Sequence, residues 1–163
     1  MISKIQNWVN DEYEGRVKVT RDEDYDPERQ PFLLKMTFSN ILGTELPVSI
    51  FKPKQYKNKI AVYSAIRFND EEQKSFHGLN SQSKERIMTE LYNNLAIMGF
   101  LPNFIPEENF NQIAFQDKIY FDGISQDRIL NSLEKIIIAY SYIINVLIAY
   151  KILRSSFDAS KST

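Results

Sequence analysis

No cysteine occurs anywhere in this chain of 163 residues. Disulfide frameworks, thiolate nucleophiles and cysteine-ligated zinc are therefore excluded together. Histidine is nearly absent: His77 stands alone. As a general base it would need an orienting acid and a nucleophile beside it, and no such grouping is visible in its neighbourhood. Glycine is scarce, five in all, each single and at the end of a patterned segment. The chain accordingly has no GxGxxG, Walker or GxSxG arrangement, which removes nucleotide binding by those routes and the nucleophile elbow. A surplus of positive charge is missing too. Twenty basic residues face 21 acidic ones, for a net charge of -1, so composition weighs against nucleic-acid binding. The opening MISKIQNWVNDEYEG lacks the apolar core and cleavage site of a signal peptide. With no cysteine to protect, that fits a cytoplasmic protein.

What is present is core-forming material. Hydrophobic residues make up 43% against 25% charged, the balance of a folded domain. Ile2, Ile5, Val9 and Tyr13 recur at helical spacing, and Gly15 stops them. The period then changes to two. Val17 and Val19 mark a first strand; Phe32, Leu34, Met36 and Phe38 a second; Leu46, Val48 and Ile50 a third; Ile60, Val62, Ile66 and Phe68 a fourth. Short links between them predict an antiparallel meander. Asn69 and Asp70 open a helical turn ending near Gly78. A further helix, capped by Ser81 or Ser83, buries Ile87, Leu91, Leu95 and Met98 and stops at Gly99. Pro102 and Pro106 mark an irregular crossing. Ile113, Phe115, Ile119 and Phe121 share a strand face, which Asp117 and Lys118 could divide into a hairpin. The reading is α+β: a mainly antiparallel sheet with an N-terminal, a middle and a long C-terminal helix packed on it. One domain is expected over 1–154, with a flexible tail over 155–163.

The last helix is predicted from near Ser125 to about Arg154. Its run IIIAYSYIINVLIAY, Ile136 to Tyr150, holds no charge. Two apolar stripes lie on it roughly 110° apart. Leu133, Ile137, Tyr140, Ile144 and Leu147 form one; Ile136, Ala139, Ile143, Val146, Tyr150 and Leu153 form the other. A sheet face buries one stripe. The second needs another helix of the chain, a second copy, a client segment or a lipid surface. The uncharged run rises about 22 Å against the ~30 Å of a hydrocarbon core, and Ser141 and Asn145 interrupt it, so a membrane is disfavoured. Ile136, Ile143, Val146 and Tyr150 are the expected interface residues, in a homodimer through this helix or against an unidentified protein client.

Chemistry-bearing clusters are few. Asp70, Glu71 and Glu72 fit a helix N-terminus. Asp22, Glu23, Asp24 and Asp26 offer oxygens to a hard cation, without the glycine and distal glutamate of a calcium loop; a solvated loop is the expectation, and no metal site is assigned. Lys52, Lys54, Lys57 and Lys59 with Tyr56 read as a charged hairpin tip, though an aromatic among lysines can also stack a base.

The run Ile119-Tyr120-Phe121-Asp122-Gly123-Ile124-Ser125, leading to Leu130, ends a strand in a tight Asp-Gly turn and opens a capped apolar helix. Ile124 and Ile129 stand at the positions of a hydrophobic staple. This resembles a family of small, uncharacterised, mostly archaeal domains with a fold similar to type III secretion chaperones, over Ile2 to about Arg154. The resemblance implies a cytosolic homodimer that holds segments of other proteins against its sheet and helices. It brings no catalytic residues and no cofactor. The expected function is a non-enzymatic protein-binding module; the alternative is a small-molecule or lipid-binding domain with an apolar pocket between sheet and helices.

Overall fold

The spacing of Ile2, Ile5 and Val9 produces α1 (Ile2–Glu12), with Ile5 and Val9 fully buried. Gly15, at φ +72°, turns the chain into β1 (Val17–Thr20). The computed structural model describes residues 1–20, 33–41, 43–53, 57–107 and 110–153. Strands β2 (Leu33–Ile41), β3 (Thr44–Phe51) and β4 (Lys59–Arg67) continue the meander, all antiparallel, with Val19 opposite Met36, Met36 opposite Val48, and Ile50 opposite Val62. Period-two alternation sends Leu34, Met36 and Phe38 inward together with Leu46, Val48 and Ile50. One extra residue in β2 between Phe38 and Ile41 shifts the register, as a bulge does. Ser64, buried on β4, donates its hydroxyl to the Pro47 carbonyl at 2.7 Å and so costs no unmade hydrogen bond.

Helix α2 (Asp70–His77) starts where expected. The Asn69 side chain accepts from the Glu71 and Glu72 amides at 2.9 and 3.0 Å, and Glu72 accepts from the Asn69 amide at 2.8 Å. Helix α3 (Ser81–Ile97) is capped one residue earlier than the sequence reading had it: Asn80 Oδ1, not a serine, accepts from the Ser83 amide. Between Pro102 and Pro106 the chain is not irregular but forms β5 (Asn103–Ile105). β6 (Gln112–Tyr120) runs unbroken, without the expected hairpin. A 3-10 turn (Phe121–Gly123) leads to α4 (Gln126–Ala149), where Ser125 accepts from the Arg128 amide. The six strands form one antiparallel sheet in the order β1-β2-β3-β4-β6-β5, so the fold is α+β as the patterning predicts.

Packing divides the chain into two compact units, Met1–Ser64 with Gln116–Ile137 and Ala65–Phe115 with Ile138–Thr163. In the first, Tyr13 meets Phe38 edge-on at 5.0 Å. Asp117 explains why β6 stays whole. It shares the parity of Ile113, Phe115 and Ile119, so alternation turns a carboxylate onto the apolar face. Arg128 Nη1 meets its Oδ2 at 2.8 Å, with the wholly buried Ser132 one turn further along α4. Burial pushes the Asp117 carboxyl up. The adjoining Arg128 guanidinium, helped by the Lys118 amide, outweighs this and holds it below the usual carboxylate range. The second unit is built on phenylalanine. Phe110, fully buried, lies 4.3 Å from Phe76, 4.8 Å from Phe104 and 5.7 Å from Phe68, ring centre to ring centre.

Two helices of this unit end by the same device. After α3, Gly99 takes φ +89°; its amide donates to Ala96 and the Phe100 amide to Leu95 at 2.8 Å. After α4, Lys151 takes φ +59°; its amide donates to Ile148 and the Ile152 amide to Leu147 at 2.8 Å. Each is a Schellman closure whose next residue, Phe100 or Ile152, is buried. The second closure ends α4 before Arg154. A left-handed lysine carries a Cβ penalty that glycine does not. Lys151→Gly is expected to raise the melting temperature by about 2–4 °C, on the order of 1 kcal/mol. Gly99→Ala, whose added Cβ meets nothing within 4 Å, is expected to lower it by a similar amount through backbone conformation alone. Calorimetry reads both, and an unmoved transition in the two variants would rule this account out.

Candidate functional site

Of the second stripe of α4, Ile136, Ala139, Ile143 and Val146 are buried within the chain, while Tyr150 and Leu153 are partly exposed. In the second unit α3 meets the tyrosines of α4, and its sequence has three flanks. Ile87, Leu91 and Leu95 are buried. On the next flank, Glu90 and Asn94 answer the tyrosines of α4: Tyr150 Oη donates to Glu90 Oε2 at 3.1 Å, and Tyr142 bonds both Asn94 and Glu90. Tyr150, expected at an interface, is half-buried against its own chain. Burial and the nearby Glu90 carboxylate push both phenols up. On α4 the exposed arc keeps one large apolar side chain, Ile138, 58% exposed.

The third flank of α3 borders a groove. Met88, Thr89, Tyr92 and Asn93 line one wall; Pro102, Asn103, Phe104 and Glu107 line the other, around about 620 Å³. Phe104 is held from behind by the fully buried Phe110. Among the described residues of that lining Glu107 is the one charged group. β5, which supplies Asn103 and Phe104, is an edge strand of the sheet. Exposed apolar side chains belong to the same segment: Tyr92 at 49%, Ile97 at 84%, Leu101 at 70% and Ile105 at 38%. Such a concentration is unusual for a surface with no partner. Sequence reading missed it. The available signal was that Tyr92, Ile97 and Leu101 are bulky yet fall off the Ile87–Leu91–Leu95 stripe.

Other candidates remain apart. His77 is exposed at the end of α2, and Asp70, Glu71 and Glu72 occupy that helix's first turn. Asp22, Glu23, Asp24 and Asp26 lie outside the described residues, as does the tail from 154 onward. By length and composition α4 could cross a membrane, yet half of its most apolar window is buried inside the protein.

A family model described as an uncharacterized conserved protein (DUF2299) matches residues 1–147. The fold is similar to that of an uncharacterized protein from Methanothermobacter thermautotrophicus, seen in its crystal structure. The two share 20% identity, and the match covers 89% of this chain and 94% of that one with a TM-score of 0.68. Among curated proteins none matches.

The tyrosine latch has a pH signature. A phenol whose folded pKa lies above its unfolded value of about 10 contributes stability that is complete below that value. The contribution is lost as pH rises through the folded pKa. Urea denaturation should therefore show stability falling above about pH 10, with Tyr142→Phe/Tyr150→Phe flattening the fall. An identical alkaline slope in that double variant would remove the latch from the account.

Proposed function

We propose that this chain, which belongs to the DUF2299 family of uncharacterized conserved proteins, is a non-enzymatic protein-binding module that holds an extended apolar segment of another protein in the groove between α3 and β5. The observation that carries the reading is the set of exposed Tyr92, Ile97, Leu101 and Ile105 beside an edge strand. An edge strand offers main-chain donors and acceptors to an added strand, and alternate side chains of that strand can enter an adjoining groove. The occupant is a peptide because an edge strand borders the groove and its described lining carries one charged side chain, Glu107. The resemblance to chaperone-like domains that hold other proteins' segments, read from the Ile119–Ser125 run, supports the same class of function. Self-association through α4 is kept in this reading only on the helix's outer arc at Ile138.

Selection of random peptides on the immobilised protein is expected to enrich sequences with alternating apolar residues. Tyr92→Glu with Leu101→Glu should weaken the selected peptides at least tenfold, about 1.4 kcal/mol, without moving the melting temperature, because both side chains are exposed. No enrichment, or binding indifferent to the two charges, would overturn the proposal. A native mass spectrum carrying a co-purified lipid displaced by the same variant would favour the small-molecule alternative, which the groove volume also fits.

A further inference from the structure

The two edges of the sheet are guarded differently. β1, at one edge, carries the exposed Lys18, with the exposed Arg16 just before the strand. Lysine on an outer strand is a common block to strand pairing, because an arriving strand would strip its charge of water. β5, at the other edge, reads Asn-Phe-Ile and holds no charge. The bareness extends well beyond the strand. From Ile87 to Phe115 the sequence has no lysine and no arginine, and its charged residues are Glu90, Glu107 and Glu108.

Glu90 is taken up on another flank of α3, where Tyr150 donates to it. Glu107 lines the groove and is exposed. Glu108 follows it in sequence and lies outside the described residues. The two cations of α3 come earlier in the helix. Lys84 Nζ stands 5.7 Å over the Phe76 ring, and Arg86 shares the flank of Glu90 one turn on. The other polar groups of the groove lining, Thr89, Asn93 and Asn103, are uncharged.

Granted that the α3–β5 groove holds a peptide, we propose that its occupant is cationic: apolar side chains alternate with a lysine or arginine that meets Glu107. Such a segment brings positive charge to a lining whose one described charge is negative, and it meets no lysine on the strand it joins. An acidic segment would set its carboxylate near Glu107 with no cation in the described lining to answer it. An uncharged segment would use the apolar positions at Tyr92 and Phe104 and leave Glu107 idle. Glu107 is exposed, so the pair itself contributes modestly. Discrimination comes as much from the cations the groove lacks as from the carboxylate it has.

The test is fluorescence anisotropy of the full chain with short, end-capped, labelled peptides of alternating leucine and threonine. Their middle position is lysine, glutamine or glutamate. The lysine peptide is expected to bind about two- to fivefold more tightly than the glutamine peptide, the range of an exposed ion pair. The glutamate peptide should bind more weakly than both. Raising salt from about 50 to 500 mM should erase the lysine advantage and spare the glutamine peptide. Glu107→Gln should remove the same advantage, and Glu107→Lys should reverse the order of the lysine and glutamate peptides. Circular dichroism melts confirm that each variant is folded. Equal binding of the three peptides, or a lysine preference indifferent to Glu107→Lys, would overturn the cationic occupant and leave the groove as a peptide site. Binding of none of the three, or binding of the glutamine peptide untouched by Tyr92→Glu with Leu101→Glu, would overturn both.

Discussion

A strand that carries a carboxylate on its buried face must be met by a counter-charge, and β6 carries one. Asp117 stands where alternation calls for an apolar side chain. Arg128 on α4 supplies the guanidinium, 2.8 Å away. Removing one partner of such a pair leaves an uncompensated charge among apolar neighbours, which costs more than the pair contributes. The start of α4 is therefore tied to β6 by an ion pair. The remainder of α4 then follows as a continuous rod, and its circumference has to be covered wherever it leads.

In the second unit α3 shows how one helix serves several purposes. Successive flanks of α3 are apolar, polar and mixed. The apolar flank enters the core, and the polar flank satisfies the phenols of Tyr142 and Tyr150. The mixed flank is left to border the groove. Apolar area that a sequence places on the last helix is thus absorbed inside the chain, and the unabsorbed area appears at the end of α3 and along β5. A binding role moves with it, from the helix that is greasiest in composition to the segment that is greasiest at the surface.

Much of the fold is legible in the sequence because its signals are local. Alternation marks β2 and β3, Asn69 with Glu72 marks the start of α2, and Gly15 and Gly99 mark helix ends. β5 is not legible, since three residues between prolines cannot display a period. The end of α4 is hidden because the left-handed position is taken by Lys151 rather than by glycine. Glu90 meets Tyr150 across 60 positions, a pairing that no window of sequence contains. The groove is partly legible: Tyr92 and Leu101 could have been noticed as bulky residues off the buried stripe. Their exposure, however, is a tertiary fact.

The boundaries between the two units fall after Ser64, Phe115 and Ile137. Those positions lie inside β4, β6 and α4, not in loops. Any scissile point chosen to liberate one half would sever a hydrogen-bonded ladder or a helical rod. The halves are therefore not candidates for separate expression, and the role assigned to the groove has to be dissected by side-chain replacement in the intact polypeptide.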